Sequence, residues 1–324
     1  MKELLKCILY LCTQIDLFRL YNMKKVNETI GLTCLGAGTF PLDNLQEKIG
    51  KNVNIIYQHV GGTAGNVMTI LAWMGWHTLP AARLDDSEVG FQLKADMEAY
   101  GCDTRLVSNA PDGGTTILDI IHKTGRDGKP KTAYMAHSPR GGRFVNHRFW
   151  TLKQAQELFD SLEEMPDVFF FDRCAPGNIL LAQLFHERGV LVYYEPNEPV
   201  DRNFLRAVAA SDIVKFSNEK HPDVSFTEGF TDKLFIQTLN EKGLRFKLRS
   251  EGWITIPPEH NPHAVDGEGA GDWTTSAFIN EMGHHHMLTF DRIHLPNVTH
   301  CLEEAQRVAS QSVSYIGAKG LIHH

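Results

Sequence analysis

The stretch from Asp266 to Asp272 reads Asp-Gly-Glu-Gly-Ala-Gly-Asp and continues into Trp-Thr-Thr-Ser-Ala-Phe-Ile. Its three glycines allow a tight turn and a close approach of the backbone to a ligand. The residues that follow predict a helix, whose first N–H groups and dipole favour a phosphate or a developing oxyanion. Asp272 would lie in the first turn, where a carboxylate can accept a proton from a hydroxyl. This arrangement suits phosphoryl transfer to an alcohol.

Asp272 has a second interpretation, as a helix N-cap. Asp is a preferred capping residue, and glycine-rich turns often precede helices. Spacing alone leaves both interpretations open, because short motifs also occur by chance. A substitution that keeps the capping ability but removes the proton acceptor separates them.

The same stretch resembles the Asp-Thr-Thr-Gly-Ala-Gly-Asp signature of the ribokinase-like (PfkB) carbohydrate kinases. The matching residues are the first Asp and the last four positions, namely Asp266, Gly269, Ala270, Gly271 and Asp272. The resemblance implies that Asp272 is the general base and that the backbone from Gly269 to Asp272 forms an anion hole. It also implies a monovalent cation site near Asp266.

Gly267 and Glu268 depart from this signature. A carboxylate at Glu268 would lie close to the ATP phosphates and oppose their binding, unless it is turned outward or paired with a cation. This departure favours an alternative of a different class, a sugar- or nucleotide-binding protein that has lost turnover.

Composition limits the class of partner. The chain has 324 residues, 42% of them hydrophobic, which is enough for one large α/β domain or two small ones. A net charge of −7 and a pI near 6.1 argue against nucleic acid and against an anionic membrane, and favour a small-molecule substrate. Six scattered cysteines without a Cys-x-x-Cys pair predict reduced thiols in a cytoplasmic protein.

The first 22 residues alternate short apolar runs with charges and are too short and interrupted for a transmembrane helix. Met23 is followed by two lysines and is a more natural start. We therefore predict that residues 1–22 are an extension outside the fold, with an amphipathic helix as the alternative. The kinase domain would then span residues 23–324.

A second signature lies near the N-terminus, where Gly61-Gly62-Thr63-Ala64-Gly65-Asn66 leads into an apolar run. No Gly-Lys-Ser/Thr follows, so it is not a Walker A loop. It resembles the Gly-Gly-x-x-x-Asn signature of the same family, which implies that Gly61 and Gly62 let the sugar approach the backbone and that Asn66 binds a sugar hydroxyl. Asp43, five residues after Gly38, fits the position of a further sugar-binding Asp. The alternatives are helix packing with Asn66 as a cap, and Asp43 as a turn-former.

The fold class follows from alternation along the chain. After Trp150, short apolar runs alternate with amphipathic helices, which predicts right-handed βαβ units and a mostly parallel, doubly wound sheet with helices on both faces. Two β-rich runs, 115–122 and 131–136, flank a polar turn and predict a hairpin. With 53–60 they would form a small β-sheet lid, drawn from about 39–62 and 113–137. The resemblance implies that this lid covers the sugar and can form a homodimer interface.

Two weaker elements concern the nucleotide. Asn218 and Glu219 resemble the family element that holds Mg²⁺ and phosphates, with Glu219 acting on the metal through water, although any such pair can be ordinary loop residues. The run 235–243 resembles the Thr-Leu-Gly-x-x-Gly nucleotide turn, with Thr238 and Gly243 in place but Asn240 replacing a glycine. Asn tolerates a positive φ better than other non-glycine residues, so the turn can persist.

Three consecutive histidines, His284, His285 and His286, suggest a metal site. Neighbours on a helix or strand point in different directions, so these three cannot all bind one ion. The sequence therefore predicts exposure to solvent.

The resemblance covers residues 30–320 and implies a ribokinase-like fold with ATP- and Mg²⁺-dependent phosphorylation of a sugar or related small alcohol. A nucleoside kinase is the alternative within enzymes. The substrate is left open, because specificity depends on lid side chains that the sequence does not place.

Overall fold

A computed structural model describes residues 31–49, 52–124 and 130–324. The predicted extension 1–22, Met23 and the turn at 125–129 lie outside the described residues. No helix in the described part of the chain is long and apolar enough to cross a membrane.

The described residues form thirteen strands and seven α-helices. The strands are β1 (Thr33–Ala37), β2 (Leu42–Ile49), β3 (Asn52–Val60), β4 (His77–Leu84), β5 (Val107–Asn109), β6 (Ile117–Thr124), β7 (Pro130–His137), β8 (Val168–Phe171), β9 (Leu191–Tyr194), β10 (Ile213–Ser217), β11 (Leu234–Thr238), β12 (Leu244–Leu248) and β13 (Ile254–Ile256). The helices are α1 (Gly62–Trp73), α2 (Glu88–Ala99), α3 (Leu152–Asp160), α4 (Pro176–Glu187), α5 (Arg202–Ala209), α6 (Ala270–His284) and α7 (Leu295–Ser312).

Nine strands form the main sheet in the order β13-β12-β11-β10-β9-β8-β1-β4-β5. Every neighbouring pair from β5 to β11 is parallel, and the two strands at the far edge, β12 and β13, are antiparallel. The predicted doubly wound, mostly parallel sheet is confirmed. Because parallel strands end at one edge, the loops after β1, β8, β9 and β10 meet there, where ligands bind in such sheets.

The sheet is covered on both faces, as its strands require. In β8, Val168 and Phe170 pack with helices α1, α6 and α7, whereas Phe169 and Phe171 pack with α3, α4 and α5. All four side chains are fully buried. Each buried Phe stabilises the fold by about 1.5–3 kcal/mol. A strand buried on both faces therefore reads as a continuous apolar run.

A separate four-stranded sheet, in the order β3-β2-β6-β7, forms the lid. Strand β2 pairs antiparallel with β3 and parallel with β6, and β6 and β7 form the predicted hairpin. The predicted small β-sheet is confirmed, with β2 as an additional strand, and its four strands fall within the segments 39–62 and 113–137. Tyr57 of β3 packs its ring against Gly317, which brings the lid against the C-terminal segment of the main domain.

Candidate active site

The glycine-rich stretch forms the entry to α6. Gly269 is the N-cap residue and adopts a left-handed conformation, with φ 77° and ψ −1°. A Cβ at Gly269 would lie 2.6 Å from the Cα of Ala318, so only glycine fits this turn. Ala270 and Gly271 are the first two residues of α6 and carry helical N–H groups without intrahelical partners. This helix N-terminus has the geometry of an anion site.

Asp272 is the third residue of α6, not its N-cap. Its Oδ2 accepts a hydrogen bond of 2.7 Å from Nδ2 of Asn66. The N-cap interpretation is therefore wrong. Asn66 lies within α1 and is not a cap either, because the N-cap of that helix is Gly61. The structure thus brings together the two signatures, although they lie 206 residues apart in the chain.

Lys319 extends this contact to the C-terminal segment. Its ammonium donates 2.6 Å to Oδ1 of Asn66 and also donates to the carbonyl of Val60. The side chain is only 3% exposed, and burial lowers the pKa of Lys319. A buried cation is stable only when it is hydrogen-bonded and compensated by charge, and the Asp43 and Asp272 carboxylates supply that charge.

A second charged group lies on the other side of Asp272. Lys215 of β10, which is 2% exposed, donates 2.5 Å to Oε1 of Glu195. The other carboxylate oxygen, Oε2, accepts 2.6 Å from the hydroxyl of Thr275 on α6. A Cβ at Gly271 would lie 3.7 Å from the Lys215 ammonium, so this cation is next to the helix N-terminus.

These surroundings change the acidity of Asp272. Burial and the negative charge of Glu195 raise the pKa of Asp272 to about 8, against the opposing effects of Asn66, Lys215 and Lys319. A carboxylate with this pKa is a far stronger base than an exposed Asp, whose pKa is about 3.9. The site therefore provides a proton acceptor matched to neutral or slightly alkaline pH.

Asp43 lies on β2 of the lid and is 7% exposed. A Cβ at Gly61 would lie 1.8 Å from Oδ2 of Asp43, and Gly62 has φ +70°, so both glycines are needed for this close approach. The Oδ1 atom of Asp43 is buried without a protein partner. Burial raises the pKa of Asp43 to about 7, and the Glu268 charge contributes to the increase. Asp43 is a strand residue and not a simple turn-former.

Glu268 points to the lid and not to an open phosphate site. Its carboxylate accepts a hydrogen bond from the hydroxyl of Tyr134 on β7. Burial raises the pKa of Glu268, so the group is less ionised than an exposed Glu. The carboxylate of Asp266 accepts backbone N–H groups from Glu268, at 3.1 Å, and from Gly317, at 2.8 Å. Asp266 therefore holds the shape of the loop, and the monovalent cation near it stays a prediction.

Two of the five residues predicted for the nucleotide, Asn218 and Asn240, line a cavity of about 400 Å³. Asn240 has φ 55°, the left-handed conformation expected where it replaces glycine, and its Nδ2 donates 2.9 Å to Glu219. The Asn218 N–H donates 2.9 Å to the Thr238 carbonyl, which joins the ends of β10 and β11. Gly243 closes the turn with φ 86°. The prediction that the turn tolerates Asn240 is confirmed.

Arg173 and Lys220 are two further cations among the charged residues around Asp272. The positive charges of Arg173 and Lys215 and the negative charges of Glu195 and Asp272 all act on Lys220, and burial lowers the pKa of that lysine. The Lys220 ammonium donates to the side-chain amide of Asn197. Lys220 therefore interacts electrostatically with the residues around Asp272.

Several of these residues were not identified from the sequence: Tyr134, Lys215, Lys220 and Lys319. Lys215 had a recognisable signal, because it interrupts the apolar strand Ile-Val-Lys-Phe. A charge in a buried strand must be paired, and such pairs often mark functional sites. The others become meaningful only when the fold places them beside Asp272 or Glu268.

The fold has relatives among solved structures. No protein-family model and no curated protein matches the sequence. A candidate ribokinase from Agrobacterium tumefaciens superposes with a TM-score of 0.69 at 16% identity, covering 90% of this chain and 94% of that chain. The chain has the ribokinase-like fold.

Two other structures with the ribokinase-like fold were solved with ligands. A fructokinase from Vibrio cholerae in its fructose, ADP and calcium ion bound form has a TM-score of 0.66 at 14% identity, over 89% of this chain and 94% of that chain. A Burkholderia thailandensis nucleoside kinase in complex with inosine has a TM-score of 0.62 at 15% identity, over 89% and 92% of the two chains. At these identities the likeness establishes the fold, and activity has to be argued from the site.

Proposed function

We propose that the protein is an ATP- and Mg²⁺-dependent kinase that phosphorylates a hydroxyl of a sugar or a related small alcohol. The observation that carries this proposal is the 2.7 Å contact between Asn66 and Asp272. It brings a carboxylate with a raised pKa, in the first turn of α6, next to a residue of the second signature. A proton acceptor, an anion site and a polar substrate site meet at one point.

The acceptor substrate would bind between the lid and α1. Asp43 offers a buried carboxylate oxygen without a partner, and Gly61 lets this carboxylate lie directly against the backbone at the start of α1. Buried polar atoms without a partner are rare in folded proteins and are often satisfied by a ligand. Sugar hydroxyls match such acceptors, as each can donate a hydrogen bond to a carboxylate.

The proposed reaction needs little covalent chemistry from the protein. The acceptor hydroxyl donates a hydrogen bond to Asp272, and its oxygen attacks the γ-phosphorus as the bond to ADP breaks. The hydroxyl proton passes to Asp272. In this mechanism the N–H groups at the start of α6 and the nearby ammonium of Lys215 would stabilise the negative charge that develops on the phosphoryl oxygens. Such pre-oriented donors stabilise the transition state more than the ground state.

Asn218 and Glu219 are suited to hold hydrated Mg²⁺. Asn218 offers an amide oxygen at the cavity, Glu219 offers a carboxylate that is hydrogen-bonded to Asn240 of the cavity lining, and Mg²⁺ keeps most of its own waters. When bound, the ion would neutralise charge on the phosphates. Lys220, adjacent in sequence, would contribute a fixed positive charge to the same phosphates.

Two features support turnover over the alternative of a degenerate binding protein. The hydrogen bond from Tyr134 turns Glu268 toward the lid, and burial raises the pKa of Glu268, so less negative charge opposes the phosphates. Asn240 adopts the left-handed conformation of the glycine that it replaces. Both departures from the family signatures are thus accommodated in the structure.

The proposal is tested by screening sugars, sugar alcohols and nucleosides for ATP-dependent ADP release in the presence of Mg²⁺. The Asp272→Asn variant is the matched control, as it removes the base but preserves the size of the side chain. We expect release with at least one acceptor for the parent protein and not for the variant. Release by both proteins, or by neither with any acceptor although MgATP binds, would contradict the proposed mechanism.

The lid would also form a homodimer interface. Val53, Ile55 and Ile56 of β3 are 50%, 59% and 42% exposed. Clustered exposed apolar side chains on an edge strand are a liability that association removes. Sedimentation velocity of the parent and of Ile55→Asp tests this, and a monomeric parent protein would exclude it.

A further inference from the structure

A cluster of metal-ligating side chains lies at the end of α6 opposite to Asp272. Glu281 and His285 are one helical turn apart, with the N–H of His285 donating 3.0 Å to the Glu281 carbonyl. His300 approaches from α7. The three potential ligand atoms, one from each side chain, all lie within 4.8 Å of one another. At a rise of about 1.5 Å per residue, Glu281 is roughly 14 Å along the helix from Asp272, so the cluster is separate from the candidate active site.

The two imidazoles already face each other. The rings of His285 and His300 lie 5.5 Å apart, edge to face at 86°, and both side chains are exposed. Ligand atoms around tetrahedral zinc are about 3.3 Å apart, because each lies about 2.0–2.2 Å from the ion. Exposed histidines can reach this spacing by side-chain rotation, while the half-buried Glu281 fixes the floor of the site.

A fourth carboxylate is close. Glu304 is four residues after His300 on α7, so both lie on one face of that helix. It now pairs with Arg307 at 2.6 Å. Glu281 precedes His285 by four residues, and Glu304 follows His300 by four. A Glu-x-x-x-His pair on α6 thus opposes a His-x-x-x-Glu pair on α7, and a cation between them would relieve the repulsion of the carboxylates.

We propose that Glu281, His285 and His300 form a binding site for a zinc-class divalent transition metal, which joins the end of α6 to α7. Glu304 or water supplies the fourth ligand. Two imidazoles and a carboxylate select zinc and its transition-metal neighbours, whereas Mg²⁺ and Ca²⁺ require oxygen ligands. The run of three histidines contributes only its middle member, since His284 and His286 point elsewhere on the helix end.

The run of histidines supplies its own controls. The full-length protein is treated with EDTA, exchanged into metal-free buffer and titrated with ZnCl₂ by calorimetry. We expect one ion per chain at this site. Loss of a hydrogen bond to a metal ligand typically raises the Kd for the metal about 10- to 100-fold. Because His285→Ala and His300→Ala each remove a ligand itself, we expect at least this increase in the Kd for Zn²⁺. His284→Ala and His286→Ala should leave the Kd within about twofold, because neither ring lies on the face that opposes α7.

A second measurement separates binding from folding. The metal-free variants should melt with the parent protein, and Zn²⁺ should raise the melting temperature of the parent, of His284→Ala and of His286→Ala only. Co²⁺ in place of Zn²⁺ should give visible absorption typical of a low-coordinate nitrogen and oxygen site. Equal loss of affinity in His284→Ala and His285→Ala would mean that the histidine run binds metal without α7, and would overturn the proposal. Absence of Zn²⁺ binding, or binding unaffected by His300→Ala, would do the same.

Discussion

Asp272→Asn is the sharpest test of the candidate active site. The substituted side chain keeps its size, and its Oδ1 can still accept the hydrogen bond from Asn66. It cannot accept a proton. We therefore expect kcat to fall by about 10²- to 10⁴-fold, which is the usual contribution of general base catalysis. The KM for MgATP should change little, because the anion-binding N–H groups of α6 stay in place.

The same substitution has a predictable effect on stability. The folded pKa of Asp272 is about 8, whereas an unfolded Asp has a pKa of about 3.9. The folded state therefore holds a proton that the unfolded state releases, and the contribution of this group to stability is lost as pH rises from about 4 through about 8. Asn does not titrate. Asp272 is only half-buried, so we expect Asp272→Asn to be more stable than the parent by only about 1–2 kcal/mol at pH 8.

Two assays check this reasoning. The pH profile of kcat/KM for the parent should rise with a midpoint near 8, because only the deprotonated base is active in the free protein. Denaturant unfolding at pH 5 and pH 8 should show that the stability difference between Asp272→Asn and the parent grows with pH. A variant that turns over at the parent rate, or a flat pH profile between 6 and 9, would refute the assignment of Asp272 as the base.

Three other substitutions test the parts around the base. Lys220→Met should raise the KM for MgATP about tenfold, corresponding to one lost charge-assisted hydrogen bond, and an unchanged KM would remove Lys220 from the phosphate site. Tyr134→Phe removes the hydrogen bond between the lid and Glu268, so it should raise the KM for the acceptor several-fold and leave the KM for MgATP unchanged. A change only in the KM for MgATP would contradict this. Asn240→Ala should lower the free energy of unfolding by about 1–2 kcal/mol, and Asn240→Gly should not, since a Cβ disfavours positive φ; equal denaturation midpoints would refute the argument.

The main sheet was predictable because its residues have few alternatives. Strands such as Val168–Phe171 are apolar throughout, and only a strand covered on both faces accepts such a sequence. The alternation with amphipathic helices then fixes parallel pairing. Local pattern and tertiary environment agree in this part of the chain, so the sequence alone was sufficient.

The lid was harder to predict, and β2 was missed as a separate strand. Its sequence, Leu-Asp-Asn-Leu-Gln-Glu-Lys-Ile, places polar residues on both faces. One reason is the hydrogen-bond network on the lid, in which Asn44 and Gln46 both donate to Asp119 of β6. Another is Asp43, which lies toward the candidate substrate site. A strand that carries function on one face and a polar network on the other lacks the hydrophobic alternation by which strands are found.

Glu268 shows the same limit within the candidate site. The sequence establishes that a carboxylate follows Gly267, and proximity to phosphates was the natural expectation. Its direction depends on Tyr134, which lies 134 residues away on a lid strand. Contacts between segments so distant in the chain leave no local sequence pattern. Only the fold could therefore show that the Glu268 carboxylate is hydrogen-bonded to the lid.

Asn66 illustrates why the two signatures need specific residue types and not merely polar ones. Its Oδ1 faces the Lys319 ammonium and its Nδ2 faces the Asp272 carboxylate. Rotating the amide by 180° would oppose donor to donor and acceptor to acceptor, so the two charges fix its orientation. Asp at this position would place a second carboxylate beside Asp272 and raise the pKa of the base further. The amide instead donates to one oxygen of Asp272, Oδ2, and in the proposed reaction Oδ1 would accept the proton of the acceptor hydroxyl. A single side chain thus orients the base and accepts a hydrogen bond from a buried cation. It also keeps Asp272 from pairing directly with Lys319. Such a pair would lower the pKa of Asp272 and make this carboxylate a weaker proton acceptor.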